Sequence, residues 1–188
     1  MIQKLEEFEK YVAIAGFRNP KIRDVDRFFN RIRKETGEVE VQIFDAHRIA
    51  SWEHLYFATL NSLRVFEDSL NISNSLAMET LLYASAQRQI DKAIELLGIK
   101  SDSSQIAVLV VAETQKEASS TLERVSKLVS GDRDDRVLEL TDEKIEEIRR
   151  LFHISDLELE SKLRRKGLEK QALVDLVIEH VALLATRR

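Results

Sequence analysis

The sequence predicts an α+β domain in which a small four-stranded sheet is packed with helices. Three observations carry this expectation. Two apolar runs of strand length, YVAIAGF at Tyr11 to Phe17 and IAVLVVA at Ile106 to Ala112, are rich in β-branched residues. Elsewhere apolar residues recur at i, i+3, i+4 and i+7, the period of a helix with one buried face. Only five glycines and one proline interrupt 188 residues, too few for a turn-rich all-β sandwich or for long linkers.

Taken in order, Tyr11 to Phe17 reads as a buried strand ended by Gly16 and Asn19-Pro20. Asp24 opens a helix whose Val25, Phe28, Phe29 and Ile32 form the apolar face, while Arg23, Arg27, Arg31 and Lys34 fall off it and Gly37 stops it. Val39 to Ile43 alternates apolar and polar, as a second strand does. Ser51 can cap the next helix, in which Trp52, Leu55, Tyr56, Thr59, Leu63 and Phe66 share a face and Phe57 and Leu60 lie on another. After the loop Asn71 to Asn74, a helix runs through Leu76, Thr80, Leu81, Tyr83 and Ala84. Another follows over Gln87 to Leu97, with Gly98 just past its end.

Ile106 to Ala112 is nearly all apolar, the signature of a central strand covered on both faces. Gln115 to Leu128 is amphipathic, the acidic turn Gly131 to Asp135 follows, and Arg136 to Leu140 reads as a short final strand. Thr141 starts a helix with Ile145, Ile148, Leu151 and Phe152 apolar, and a last helix spans about Glu169 to Ala185. The order is therefore β-α-β, three helices, β-α-β and two helices. It predicts one domain over residues 1–188, with the sheet and its helices in 1–140 and a helical part in 141–188.

Composition narrows function. With 33 acidic and 29 basic residues the net charge is −4, and the sequence pI of 5.7 is far from that of a dedicated DNA-binding domain. Charge is unevenly placed, however: Arg18 to Lys34 holds seven basic and two acidic residues. That stretch is either a solvated helix face or one basic surface on an acidic protein. The absence of cysteine excludes a disulfide framework, a thiol nucleophile and thiolate metal sites. Neither a signal-peptide core nor a membrane-length apolar run is visible, so a soluble cytoplasmic protein is expected.

No phosphate loop, nucleophile elbow or HExxH motif occurs. His47, His54, His153 and His180 are scattered, and a metal site needs converging ligands. Asp45 and His47, at a strand end, are the one pair placed like a site, and a structural turn explains them as well. These residues predict a binding or scaffold protein, with no catalytic residues, no cofactor and no metal.

The block NISNSLAMETLLYASAQRQIDKAIELLGIK, Asn71 to Lys100, is more specific than periodicity. Its Glu79 to Ser85 run, Arg88-Gln89-Ile90, Ala93-Ile94 and Gly98-Ile99, followed closely by the buried strand, resemble the kinase-binding subunits of the KEOPS/EKC tRNA-modification complex (the PRPK-binding protein TPRKB family, archaeal type). The chain departs from that pattern at Asn61, where relatives often carry a lysine, and at the acidic Glu67-Asp68.

The resemblance implies a non-catalytic subunit of the assembly that makes threonylcarbamoyladenosine on tRNA. It would bind the small atypical kinase subunit and help recruit the tRNA 3′ CCA end. Arg88, with Asn74, Gln89, Lys92 and Arg64 in support, then become candidates for the tRNA end, since a fork of N–H donors and paired amide groups suit phosphates and splayed bases. Alternatively, Arg88 bridges Glu79 or Asp91 and Asn74 caps a helix. On the last helix, Leu173, Leu176, Val177, Val181 and Leu184 form a stripe that either closes the chain's own core or, where exposed, meets the kinase. A scaffold without direct tRNA contact is the competing reading.

Overall fold

The structure is a computed structural model, and it describes residues 1–163, 165 and 167–186. Its centre is an antiparallel sheet built on β2 (Lys10–Arg18) and β4 (Gln105–Ala112), paired in continuous register from Tyr11 opposite Ala112 to Arg18 opposite Gln105. Short β1 (Ile2–Leu5) pairs with the first half of β2, and β3 (Glu40–Asp45) pairs with the far side of β4. The path is therefore β1-β2-β4-β3, with all pairs antiparallel.

Because side chains alternate across a strand, the two apolar runs feed two cores. Ala13, Ala15 and Phe17 join Ile106, Val108 and Val110 on one face. They meet Phe28 and Ile32 of α1 (Val25–Thr36) and Leu122, Val125 and Val129 of α5 (Gln115–Val129). Val12, Ile14, Phe44, Leu109 and Val111 point to the other face. There α2 (Trp52–Glu67), α3 (Leu76–Ala84) and α4 (Ile90–Leu97) cover them, together with the end of α8 (Glu169–Leu183). Helix starts follow the expected chemistry. Asp24, Ser51, Ser75 and Thr114 each accept a backbone N–H of the first turn.

The expected strand at Arg136 to Leu140 is corrected. Residues Asp135–Leu138 form a 3-10 turn, and the strand at this point is β5 (Asp132–Arg133), which pairs with Phe17 and Arg18. The reason is local. Asp134 accepts the Arg136 N–H at 3.2 Å and receives the guanidinium Nε groups of Arg18 and Arg136 at 2.6 and 2.8 Å, so the chain curls instead of extending. Those guanidinium bonds also hold the Asp134 carboxyl well below the usual carboxylate range. Gly16 lets this turn lie against β2. Its N–H donates to Asp135 Oδ1 at 2.9 Å, and its carbonyl accepts from the Asp134 N–H at 2.9 Å. The turn still buries Val137 and Leu138, which explains why its composition reads like a strand. Two further elements escape sequence reading: β1, with two apolar residues of four, and seven-residue α7 (Asp156–Lys162), which follows α6 (Asp142–Leu151).

A third core ties the C-terminal helices on. Ala50, Ile148, Phe152 and Ile154 meet Leu173, Val174, Leu176 and Val177, while Val181 and Leu184 extend into the core beneath α2. Of the apolar stripe on α8, Leu173, Leu176, Val177, Val181 and Leu184 are all buried inside the chain itself, at 0–7 % exposure. They take the intrachain role that the spacing equally allowed. Two buried polar side chains join these layers. His54 Nδ1 accepts from the Ala50 N–H at 3.3 Å and Nε2 donates to the Ala84 carbonyl at 2.7 Å, which links α2 to the end of α3. Lys144 on α6 donates to the carbonyls of Val137 at 2.5 Å and Ile49 at 3.3 Å.

Two outcomes are expected. A Cβ at Gly16 would lie 2.3 Å from Val137 Cγ2 and 2.6 Å from the Asp134 carbonyl oxygen. Gly16→Ala is therefore expected to cost about 1–3 kcal/mol in urea unfolding; an unchanged midpoint would show that the turn adjusts freely. Burial also pushes His54 down to about 4. The unfolded chain then binds more protons than the folded one between the ordinary histidine value and pH 4, so stability falls as pH falls through that window. His54→Gln removes that slope, read as a flatter difference between unfolding midpoints at pH 7 and pH 4.5 than in the wild type.

Candidate functional site

Two of the candidate residues, Arg88 and Asn74 on its loop, are placed about one buried acid. Glu79, in the first turn of α3, is 1 % exposed, and its Oε2 accepts the backbone N–H groups of Ile72 at 3.0 Å and Ser73 at 2.7 Å. Burial pushes the Glu79 carboxyl up, against the pull of those two donors and of the Arg88 charge. The loop before α3 is fastened from its other side by β3. Glu40 Oε2 accepts from the Ala77 N–H at 3.0 Å and the Ser75 hydroxyl at 3.4 Å, and Gln42 Nε2 donates to the Ala77 carbonyl at 3.0 Å. Ser75, not Asn74, is the N-cap of α3. Asn74 is left exposed on a loop whose neighbours are all tied down.

The other end of α3 delivers the arginine. Ser85 and Gln87 N–H groups close onto the carbonyls of Leu81 and Leu82, and Ala86 adopts the left-handed region at φ 51°. A non-glycine residue there carries strain of roughly 1 kcal/mol or more. The turn brings the charge of Arg88 to bear on both Glu79 and Tyr83. Arg88 is exposed and forms no salt bridge with Glu79 or Asp91 among the described residues. Gln89 occupies the N-cap position of α4 without a side-chain capping bond, and its amide is exposed. Lys92, one turn along α4, is exposed as well.

Arg64 differs from these. It leaves α2 to pair with Glu7 Oε2 at 3.0 Å, on the turn after β1, and is half committed to that bond. Asn61 bonds back to its own helix, its Nδ2 donating to the Phe57 carbonyl at 2.8 Å. The structure thus brings Arg88 and the Asn74 loop together around Glu79, with Gln89 and Lys92 next in chain, and gives Arg64 a separate partner.

Sequence reasoning missed Glu79 as the organiser, because its role depends on which loop amides face it after folding. It also missed the apolar wall beside the cluster. Ile90 and Ile94 of α4 stand 38 and 45 % exposed over a groove of about 810 Å³ between α4, the loop at Ser73 and Ser75, the edge strand β3 and α1. A smaller cleft of about 270 Å³ lies on the other side of α4. Its Arg48 donates to the Glu95 and Leu96 carbonyls at 3.0 and 2.8 Å and to Glu147 at 2.9 Å, which satisfies the end of the helix.

The residues that looked most like a catalytic pair do not form one. Asp45 Oδ1 accepts the His47 backbone N–H at 3.1 Å and Oδ2 accepts the Ser103 hydroxyl at 2.9 Å, while the His47 ring bonds Ser104 Oγ at 3.1 Å. The carboxylate orients a turn and does not touch the imidazole. Among the described residues no group of three or more His, Cys, Asp or Glu could hold a metal ion, and no helix is long and apolar enough to cross a membrane.

A profile of the family described as "Kinase binding protein CGI-121" matches residues 21–185. The "Regulatory protein Cgi121" of Methanocaldococcus jannaschii is 30 % identical over 138 residues, which cover 73 % of this chain and 85 % of that relative. The match runs from the segment before α1 to the end of α8 and includes the whole Asn71 to Lys100 block. The chain belongs to the CGI-121 family of kinase-binding proteins.

Proposed function

We propose that this chain is a non-catalytic subunit of a KEOPS-type tRNA-modification assembly, which binds the small atypical kinase subunit and receives the 3′ CCA end of tRNA for threonylcarbamoyladenosine synthesis. One observation carries the RNA half of this reading. Arg88, exposed and without a salt bridge among the described residues, stands near exposed Gln89 and the Asn74 loop, which buried Glu79 ties down through two backbone N–H groups. A single-stranded end is recognised by phosphate contacts, stacking and hydrogen bonds to splayed base edges. A planar guanidinium beside two amide side chains supplies each of these. The kinase half rests on the family itself. Leu173, Leu176, Val177, Val181 and Leu184 form the inner side of α8, and the kinase meets that helix from outside, at Leu183, which is 48 % exposed.

Arg88→Glu is expected to weaken binding of a tRNA transcript by roughly 1–3 kcal/mol while capture of the kinase stays intact. A transcript without its CCA end should bind the wild type about as poorly. Equal binding of the two transcripts would place RNA recognition elsewhere, and no binding of either would leave a scaffold without tRNA contact.

Leu183→Glu is expected to reduce co-purification of the cognate kinase at an unchanged unfolding temperature. Undiminished capture would move the kinase to another face. Reproducible ATP turnover by the pure chain, abolished by one substitution, would overturn the non-catalytic assignment.

A further inference from the structure

Strand β3 is an edge of the sheet, and it lines the groove between α1 and α4. The Asn19 N–H donates to the Ser104 carbonyl at 2.8 Å and so continues the β2–β4 ladder. Hydrogen-bonded pairs alternate along an antiparallel ladder, so the even-numbered residues of β4 turn their backbone groups to β2 and the odd-numbered ones to β3. Leu109 and Val111 therefore bond Gln42 and Glu40, while Val41 and Ile43 direct their N–H and C=O groups out from the sheet edge. Ile43 is closed off: its N–H donates to Gln42 Oε1 at 2.8 Å, and Phe44 bridges Gly98 just beyond. On the other side the Val39 N–H turns back to the Thr36 carbonyl at 3.2 Å. Val41 lies between them, half-buried, and its outward N–H and C=O meet no partner among the described residues.

The walls around this open position are apolar, and their rim is acidic. Half-buried Phe29 of α1 faces Met78 of α3 and the exposed Ile90 and Ile94 of α4 across the groove. Asp26 and Glu38 on the α1 side are exposed and form no salt bridge among the described residues. Glu40 is spent on the Ser75 hydroxyl and the Ala77 N–H, and Arg33 is the cation among the lining residues. Two unpaired carboxylates repel a phosphodiester chain and attract a cation. An open edge strand between apolar walls accepts an extended polypeptide by strand addition. The edge strand of a second copy does not fit, because its own α1 and α4 flank it and its Asp26 and Glu38 would meet like charges.

We propose that this groove takes a short extended peptide segment of a partner protein, apolar with lysine or arginine interspersed, which adds to β3 at Val41. The residue opposite Val41 exchanges two backbone hydrogen bonds with it. Side chains along the segment then alternate between the α1 wall and the α3–α4 wall. Apolar ones cover Phe29, Met78, Ile90 and Ile94, and cationic ones reach Asp26 and Glu38 on the rim. Closure of the edge at Val39 and Ile43 confines the pairing to this one position, so most of the specificity comes from the side chains. The site is separate from the Arg88 corner and requires no RNA.

The test uses the full-length chain and three synthetic hexapeptides: alternating lysine and valine, alternating glutamate and valine, and the lysine–valine sequence N-methylated at every residue. Binding is read by fluorescence anisotropy and by the amide shift of Val41 in NMR spectra. The lysine–valine peptide is expected to bind roughly tenfold or more tightly than the glutamate–valine one, and to shift the Val41 amide. Asp26→Asn/Glu38→Lys, at two exposed positions, should abolish that preference at an unchanged unfolding temperature. N-methylation keeps charge and side chains but removes the donors, and should weaken binding about three- to tenfold. Val41→Pro should do the same to the lysine–valine peptide, since proline is tolerated where an edge N–H points outward. Equal binding of the N-methylated and parent peptides, or binding without a shift at Val41, would overturn strand addition. So would failure of the lysine–valine peptide to bind at all. Displacement of the peptide by a short RNA ending in CCA would make the groove part of a nucleic-acid site, and a dimer that the peptide dissociates would make a second copy its occupant; either result overturns the proposal.

Discussion

Burial of the β2–β4 pair on both faces is the constraint from which the rest of the structure follows. Its continuous antiparallel register joins two apolar strands with no polar face between them. Such a ladder is stable only when helices cover both sides, and the chain supplies α1 and α5 for one face and α2, α3, α4 and α8 for the other. The outer strands then use this pair as their template. β1 and β5 pair with β2 at opposite ends, and β3 lies along the far side of β4. At Gly16 another segment comes within contact of the β2 backbone, and the absence of a side chain there admits the turn at Asp135–Leu138.

Buried ionisable groups do the joining between these layers. Glu79 is removed from water, which raises its pKa, and two loop amides offset part of that cost. What the arrangement secures is the geometry of the loop that carries Asn74. Lys144 plays the equivalent part for the C-terminal helices. Burial pushes it down to about 8, and its amine donates to two carbonyls, a number that even the neutral form can supply. His54, neutral and fully buried, pins α2 to the end of α3 and stacks edge-on against Phe152 at 5.5 Å. Each of the three holds main-chain groups of distant segments, so the exposed side chains between them sit on a defined frame.

Charge is distributed by the same logic. The protein is acidic overall, and across α6 and the turn after β5 its cations are matched by nearby carboxylates. Along α1 and at the α3–α4 corner, arginines face solvent without a salt bridge among the described residues. A net charge is a sum over the surface and says little about any one face. The groove between α1 and α4 is not a basic channel: Arg33 lines it beside Asp26, Glu38 and Glu40.

Periodicity and punctuation were legible wherever the governing physics is local. Asp24 and Ser51 announced their helices, Gly37 its stop, and Ile106 to Ala112 its burial on both faces, because caps, left-handed stops and apolar runs act within a few residues. The Asn71 to Lys100 block likewise pointed to the CGI-121 family from residue identities alone. Tertiary structure decided the rest. Whether Val137 and Leu138 extend or curl depended on Asp134 meeting Arg18, a residue more than a hundred positions away in sequence. The stripe on α8 could face either way until Ile148 and Phe152 closed over part of it. Glu79 became the organiser of the candidate site because folding set two loop amides against it and an arginine nearby. Spacing along one element reveals which side chains share a face. What that face meets is fixed only when distant segments compete for the same buried volume and the same hydrogen-bond partners.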